Sequence, residues 1–226
     1  YWSIKRFAVD RGYGIKVEEG PFGYPYDKNN VNHMKTMEWF DTLNLPFKPR
    51  DYQYDAITHG IERKRCILLS PTGSGKSFII YLLSRWYLEN NSKKILLVVP
   101  TTSLVEQMYK DFQDYGYDVE TNCHRIYSGK DKETECPIVI STWQSIYKLH
   151  PNWFHQFGCI IGDEVHGFKS KSLSSIMNKA IYAEYRFGTT GTLDGTQVNE
   201  LVLEGLFGPT KRVTTTHELQ NKNALA

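Results

Sequence analysis

The amino-acid sequence predicts an α/β fold in which a doubly wound, mostly parallel sheet carries helices on both faces. From residue 52 to residue 215, short apolar runs alternate with longer amphipathic stretches, as strands and crossover helices do in such folds. The run Ile95–Val99 is apolar at every position, which is expected of a parallel strand covered on both faces. A glycine-rich turn between one apolar run and the next amphipathic stretch is the third indication.

Five strands and five helices follow from this alternation in the main part of the chain. The predicted strands are Arg65–Ser70, Lys94–Pro100, Pro137–Ser141, Cys159–Asp163 and Tyr185–Thr189. The predicted helices are Asp51–Arg63, Lys76–Asn90, Thr102–Tyr115, Ser172–Tyr182 and Thr196–Leu206. Helices of this length between strands are typical of βαβ units, whose strands run parallel.

The first 49 residues have a different pattern. We predict a helix at Trp2–Arg11, a strand at Tyr13–Glu18, a turn region from Gly20 to Asn30 and a helix at Val31–Leu43. We therefore expect residues 1–49 to be the end of a small α/β module with a linker. Residues 50–220 then form the main domain, and residues 221–226 begin a further linker.

Composition limits the function classes. The net charge is only +2, which disfavours a protein that coats DNA through many phosphate contacts. The four cysteines form no C-x-x-C pair, so we expect no zinc site and a reducing, cytoplasmic compartment. No apolar run approaches the roughly 20 residues that span a bilayer, and we expect no membrane partner. Because the chain opens Tyr-Trp-Ser without a basic leader, we expect a fragment of a longer protein.

The glycine-rich turn has the residues of a phosphate-binding loop, Ser70–Ser77. Its glycines allow backbone N–H groups to turn around a phosphate, and the following helix adds its positive end. The ammonium of Lys76 can reach the β- and γ-phosphates of ATP, and the hydroxyl of Ser77 can bind Mg²⁺. The predicted nucleotide contacts in the loop are Pro71, Thr72, Gly73, Ser74, Gly75, Lys76 and Ser77. Ser70 stands where the strict pattern has glycine.

Two carboxylates follow the apolar run that begins at Cys159. Ligands of open α/β sheets bind where such strands end. Asp163 can hold Mg²⁺ together with Ser77, because Mg²⁺ prefers one or two carboxylates plus phosphates. Glu164 is then placed to orient or deprotonate the attacking water. On residue chemistry alone, the prediction ends at binding and hydrolysis of Mg-ATP.

Together these segments resemble the DExH-box helicases of superfamily two, whose motor domains have a RecA-like fold. Asp163-Glu-Val-His166 is similar to the second motif of this family, which implies a catalytic part for His166. Arg50-Asp-Tyr-Gln53 resembles its adenine-reading element, with Gln53 on the base and Arg50 beside it. The resemblance implies nucleic-acid contacts at Thr101 and Thr142, and coupling of ATP to the strand through Thr190 and Thr192. Gly191 departs from the usual Ser-Ala-Thr of that last motif.

Most of residues 50–220 are similar, more narrowly, to phage recombination helicases of the UvsW type, including Trp153–Gly158 and Phe207–Thr215. This implies ATP-driven unwinding of branched or single-stranded DNA, or of RNA in hybrids, in recombination, replication and repair. It also implies a second RecA-like domain, which we do not find in these residues, and we expect a monomer. Two other functions stay open: a duplex-translocating subunit of a restriction enzyme or remodeller, and a nucleotide-binding module that is inactive without its second domain.

Overall fold

A computed structural model describes residues 8, 11–13, 33–192 and 197–221 of the chain. The helices in these ranges are α1 His33–Thr42, α2 Asp51–Arg63, α3 Lys76–Asn90, α4 Thr102–Asp114, α5 Val119–Asn122, α6 Trp143–Ile146, α7 Pro151–Phe154, α8 Ser170–Lys179, α9 Gln197–Phe207 and α10 Thr216–Asn221. A 3₁₀ helix lies at Val165–Gly167. No helix of the described residues is long and apolar enough to cross a membrane.

Seven strands form one sheet in the order β3-β4-β2-β5-β6-β1-β7, and each strand is parallel to its neighbours. The strands are β1 Arg65–Leu69, β2 Lys94–Val99, β3 Cys123–Ile126, β4 Ile138–Thr142, β5 Phe157–Gly162, β6 Tyr185–Thr190 and β7 Thr210–Arg212. Because all of them run in one direction, their carboxyl ends share one edge of the sheet. We call this the carboxyl edge, and it is marked by Ser70, Pro100, Thr142, Asp163 and Thr190.

Apolar side chains that alternate along the strands divide the core into two layers. Leu68 and Leu97 lie in the layer that includes residues of α2, α3 and α4. Ile67 and Leu96, each one position away, lie in the layer formed with residues of α6 to α9. All four side chains are fully buried, as expected where helices cover both faces of a parallel sheet.

One charged side chain, Arg186 of β6, lies inside this core with 7% of its surface exposed. Its Nη2 donates to the carbonyls of Met177 and Ala180, both at 3.2 Å, and its Nε donates to Ala183 at 3.1 Å. These carbonyls end α8 and its following turn, where a helix leaves acceptors unpaired and favours a cation. Burial lowers the pKa of this guanidinium to about 10, so it is still charged at neutral pH.

The sequence-based expectation of a doubly wound α/β fold is confirmed, with all sheet pairings parallel. The bounds of α2 and α3 agree with the prediction, and β1, β2, β4, β5, β6, α4 and α9 agree within two residues. Helix α8 was placed wrongly: it runs from Ser170 to Lys179 and ends where Arg186 caps it, instead of from Ser172 to Tyr182.

The sequence did not predict the edge strands β3 and β7 or the short helices α5, α6, α7 and α10. In the first 49 residues, the predicted helix at Val31–Leu43 corresponds to α1. The predicted turn region from Gly20 to Asn30 lies outside the described residues. The structure describes only Ala8 and Arg11 of the helix predicted at Trp2–Arg11, and only Tyr13 of the strand predicted at Tyr13–Glu18.

Candidate active site

The loop Ser70–Ser77 joins β1 to α3 at the carboxyl edge, and its backbone requires glycine at two positions. Gly73 has φ 81°, and Gly75, which precedes the first residue of α3, has φ 78°. Side chains rarely adopt such angles. A Cβ at Gly75 would also lie 2.4 Å from Nε2 of Gln53. The left-handed φ and the close approach of Gln53 both favour glycine at position 75.

Serine hydroxyls shape the inside of the loop. The buried Ser70 Oγ donates to Ser74 Oγ at 2.6 Å, and Ser74 Oγ donates to the carbonyl of Pro71 at 2.7 Å. This chain of bonds gives a physical reason for serine at position 70, where the strict loop pattern has glycine. The hydroxyl stabilises the turn from within, so the departure from the pattern is compatible with the loop conformation.

The start of α2 is bonded to the same loop. Gln53 Nε2 and Tyr52 Oη donate to the carbonyl of Ser74, at 3.0 and 3.1 Å. Gln53 Oε1 accepts from the backbone N–H of Arg50 at 2.8 Å, and Arg50 Nη1 donates to Tyr52 Oη at 3.1 Å. Arg50 and Gln53 thus lie beside the loop, as expected of nucleotide contacts. Their part in reading a base stays a prediction.

Asp163 follows β5 and is 6% exposed. Its Oδ1 accepts from Thr189 Oγ1 at 2.6 Å and from the backbone N–H of Glu164 at 3.0 Å. Burial raises the pKa of this carboxyl above its ordinary value, and the hydrogen bond from Thr189 opposes that rise. The side chain is therefore a desolvated carboxyl group, whose ionised form a nearby cation would stabilise.

Glu164 contacts both the phosphate-binding loop and the segment that follows β6. Its Oε1 lies 3.2 Å from Lys76 Nζ, and its Oε2 accepts from the backbone N–H of Gly191 at 3.3 Å. The backbone of Glu164 has φ 49° and ψ 48°, a left-handed conformation that is uncommon for a residue with a side chain. Lys76 Nζ also donates to the carbonyl of Ser70 at 3.3 Å. The predicted lysine and water-orienting carboxylate are thus direct partners.

His166 extends this network to β6. Its Nδ1 is 2.6 Å from Thr190 Oγ1 and 3.4 Å from Glu164 Oε2. Thr190 Oγ1 donates its single proton to the carbonyl of Thr192 at 2.7 Å. It can therefore only accept from His166, which requires the proton of the imidazole on Nδ1. A continuous path of contacts thus joins Lys76 to Thr192.

The Ser77 hydroxyl is paired with a residue that sequence reasoning did not select. Its Oγ lies 2.8 Å from Tyr115 Oη, at the end of α4. Ser77 bonds to Tyr115 at the end of α4, whereas Asp163 bonds to Thr189 of β6 and to the backbone of Glu164. Both residues offer the hard oxygen ligands that suit Mg²⁺. The described residues hold no cluster of three or more His, Cys, Asp or Glu that could bind a metal.

Thr101 and Thr142 lie at the carboxyl edge but outside this network. Thr101 caps α4, and its Oγ1 accepts from the N–H of Leu104 at 3.3 Å. Thr142 is buried, with Oγ1 2.8 Å from Ser145 Oγ. Gln144 links the two segments through a 3.2 Å bond from its Nε2 to the carbonyl of Pro100. Their predicted contacts with nucleic acid stay untested by this geometry.

Three residues of the site were missed: Tyr52, Thr189 and Tyr115. The first two adjoin predicted residues in the sequence, and a hydroxyl at the end of a strand was an available signal for Thr189. Tyr115 is 38 positions from Ser77, and its contact depends on how α3 and α4 pack. No local pattern could have indicated it.

Comparison with known proteins gives a family match. The family model described as "Type III restriction enzyme, res subunit" matches residues 46–195. The chain is 35% identical to the ATP-dependent DNA helicase uvsW of Enterobacteria phage T4 over 226 residues, which cover 96% of this chain and 44% of that protein. It is 28% identical to the DNA 3'-5' translocase XPB2 of Sulfurisphaera tokodaii over 183 residues, which cover 81% of this chain and 39% of that protein. The chain thus spans less than half the length of these curated relatives.

Solved structures agree with this match. A structure of T4 UvsW superposes with a TM-score of 0.83 at 35% identity, over 95% of this chain and 44% of the other. A second UvsW structure gives 0.82 at 34% identity, over 93% of this chain and 76% of the other. The Hef helicase domain of Pyrococcus furiosus gives 0.62 at 20% identity, over 74% of this chain and 38% of the other, and supports the fold alone.

Proposed function

Since this chain belongs to the family of the type III restriction enzyme res subunit, we propose that it is the first motor domain of an ATP-dependent DNA helicase. We propose that the helicase acts on branched DNA, such as forks, Holliday junctions, D-loops or R-loops, in recombination, replication and repair. The similarity to a protein named as an ATP-dependent DNA helicase supports DNA as the substrate. The proposed motor activity rests first on one contact of the site, the pair formed by Lys76 and Glu164.

This pair supports a mechanism in which ATP binding replaces Glu164 by a phosphate as the partner of Lys76. The Nζ of Lys76 is 3.2 Å from Oε1 of Glu164, and the two side chains are 12% and 27% exposed. A γ-phosphate in the loop would compete for the same ammonium, because phosphate oxygens are strong acceptors from Lys. Glu164 would then be released toward the phosphate, where it can orient and deprotonate a water molecule. ATP binding and activation of the base are thus one event.

Ser77 and Asp163 are the proposed ligands of Mg²⁺, and their oxygen chemistry fits this ion. Bound there with the phosphates, Mg²⁺ would supply positive charge to the β- and γ-phosphate oxygens. The loop contributes backbone N–H groups and the positive end of α3. His166, fixed on Thr190 by the 2.6 Å bond, would carry changes at Glu164 to β6.

The nucleic-acid contacts of the proposal lie farther along the carboxyl edge. Thr101 and Thr142 follow β2 and β4, and their hydroxyls could bind phosphates as neutral donors. Gln144 holds the two segments together. The remaining nucleotide contacts would come from another RecA-like domain, whose arginine stabilises the transferring phosphoryl group. We therefore expect residues 1–226 alone to bind Mg-ATP weakly and to hydrolyse it slowly.

The test is an ATPase assay on the longer protein that contains this chain, with single-stranded, duplex and forked DNA. We expect DNA to stimulate hydrolysis, most strongly with forked DNA, and Lys76→Ala to abolish the stimulation. The control is Lys93→Ala, which removes an exposed lysine that donates to the carbonyl of His155 and lies over the ring of Tyr182. Equal hydrolysis with and without DNA, or full activity of Lys76→Ala, would refute the proposal. Robust fork unwinding by residues 1–226 alone would contradict the need for a second domain.

A second candidate is a motor that translocates on duplex DNA without separating its strands. The 28% identity to a protein named as a translocase favours it. Displacement of a bound third strand from duplex DNA would report translocation, whereas release of one strand of a fork would report unwinding. A protein that displaces the third strand but leaves forks intact would replace the helicase proposal with this one.

A further inference from the structure

We propose that Tyr115 is a positioning residue that holds the Ser77 hydroxyl toward helix α4 and opposes its use as a metal ligand until nucleotide binds. This inference rests on the proposed function, since it concerns the Mg²⁺ that accompanies ATP. It adds a residue from outside the loop and outside the acidic motif to the control of the site. The supporting contact is the 2.8 Å approach of Tyr115 Oη to Ser77 Oγ.

The position of the tyrosine hydroxyl is fixed by packing of its ring. The ring centroid of Tyr115 lies 5.0 Å from that of Phe78, 5.2 Å from that of Tyr81 and 5.7 Å from that of Phe47. Aromatic rings in edge and tilted arrangements at these separations attract one another. A tyrosine has two rotatable side-chain bonds, and neighbours on several sides leave little freedom to either. The hydroxyl is therefore held in front of Ser77.

The 2.8 Å contact constrains the Ser77 hydroxyl whichever of the two groups donates, because each hydroxyl has one proton and two acceptor lone pairs. Either arrangement turns Ser77 Oγ toward Tyr115 at the end of α4. Coordination of Mg²⁺ by Ser77 would have to compete with this hydrogen bond. Removal of the Tyr115 hydroxyl would remove that competition.

Helix α4 connects this contact to the opposite end of the site. Its N-cap is Thr101, the proposed phosphate contact, and it ends at Asp114, directly before Tyr115. A helix of 13 residues is about 20 Å long, so α4 joins these two places along the site. If a DNA phosphate at Thr101 shifted α4, Tyr115 would shift relative to Ser77 as well.

The experiment measures binding of a fluorescent ATP analogue to the 226-residue chain while Mg²⁺ is titrated. Tyr115→Phe keeps the ring and removes the hydroxyl. We expect the half-saturating Mg²⁺ concentration to fall roughly three- to tenfold, the size of one hydrogen bond, and binding without Mg²⁺ to change less than about twofold. Tyr117→Phe is the matched control, because its ring also packs on Tyr81, at 5.9 Å. It should leave the Mg²⁺ requirement unchanged.

A double-mutant cycle with Ser77→Ala separates positioning from general stability. If Tyr115 acts through the Ser77 oxygen, adding Tyr115→Phe to Ser77→Ala should not change the Mg²⁺ requirement further. An unchanged or higher requirement in Tyr115→Phe alone, or the same reduction in both backgrounds, would overturn the inference and leave the proposed function intact. A chain that binds the analogue equally with and without Mg²⁺ would overturn the proposed metal site itself. Melting curves confirm that every variant is folded.

Discussion

Replacing Glu164 with glutamine should change nucleotide binding and hydrolysis in opposite directions. The substitution keeps the shape of the side chain and leaves an oxygen that can accept from Gly191, whose N–H now bonds to Oε2 at 3.3 Å. It removes the negative charge that lies 3.2 Å from Lys76 Nζ. The ammonium of Lys76 then loses its charged partner, keeps its bond to the carbonyl of Ser70 and is available to a phosphate.

The expected magnitudes follow from the exposure of the pair. The Lys76 side chain is 12% exposed and that of Glu164 27%, so solvent screens their attraction only in part. Fully exposed pairs contribute about 0–1 kcal/mol, and we expect about 1 kcal/mol here, which ATP must overcome. Its removal should tighten ATP binding about fivefold, since about 1.4 kcal/mol corresponds to tenfold. Loss of the general base should slow hydrolysis about 10²- to 10⁴-fold.

The assay combines equilibrium binding of ATP with single-turnover hydrolysis in the longer protein. Glu184→Gln is the matched control, because Glu184 forms an exposed ion pair with Lys64 and should change neither quantity. If Glu164→Gln binds ATP more weakly than the unchanged protein, the exchange at Lys76 is wrong. If it still hydrolyses ATP at the original rate, Glu164 is not the base.

Three further substitutions test the frame of the site. Arg186→Met leaves the carbonyls at the end of α8 without their donor, and urea unfolding should show a loss of about 2–4 kcal/mol; a loss under about 0.5 kcal/mol would refute the capping role. Gly75→Ala places a Cβ 2.4 Å from Gln53 Nε2 at a φ of 78°, so it should weaken ATP binding at least tenfold in a titration. An unchanged ATP affinity would mean that the loop adjusts its conformation to accept the methyl group. Asp163→Asn should raise the melting temperature at pH 7 while abolishing the Mg²⁺ dependence of ATP binding. Burial raises the pKa of Asp163 above 3.8, so the folded state binds the carboxyl proton more tightly than the unfolded state, and ionisation of Asp163 lowers the free energy of unfolding as pH rises above about 4. Asp163→Asn should lose this contribution to the pH dependence of stability. The same change of stability with pH in both proteins would contradict the assignment.

The sequence was sufficient for features that depend on neighbouring residues. Helix α3 could be placed to the residue because Gly75 ends the loop before it and Asn91 follows it. The acidic pair could be placed at a strand end because Cys159–Gly162 is an apolar run followed directly by charge. Both signals lie within a few positions of what they predict.

Features that depend on tertiary packing were missed. Strand β3 reads Cys-His-Arg-Ile, and β7 reads Thr-Lys-Arg, so neither has the apolar run that marked the inner strands. Both are edge strands with one neighbour, and edge positions tolerate polar side chains. The contact between Ser77 and Tyr115 arises only after α3 and α4 pack together, and the capping of α8 by Arg186 arises only after β6 joins the sheet.

The left-handed backbone of Glu164 has a consequence for how the chain can change over time. A residue with a side chain in this conformation costs about 1 kcal/mol or more, which glycine would avoid. The turn nevertheless points the Glu164 N–H at Asp163 and its carboxylate at Lys76. Selection for folding stability at this position would therefore favour glycine, whereas selection for ATP turnover would favour glutamate. A laboratory population selected only for thermal tolerance should lose Glu164 early, whereas one selected for DNA processing should retain it.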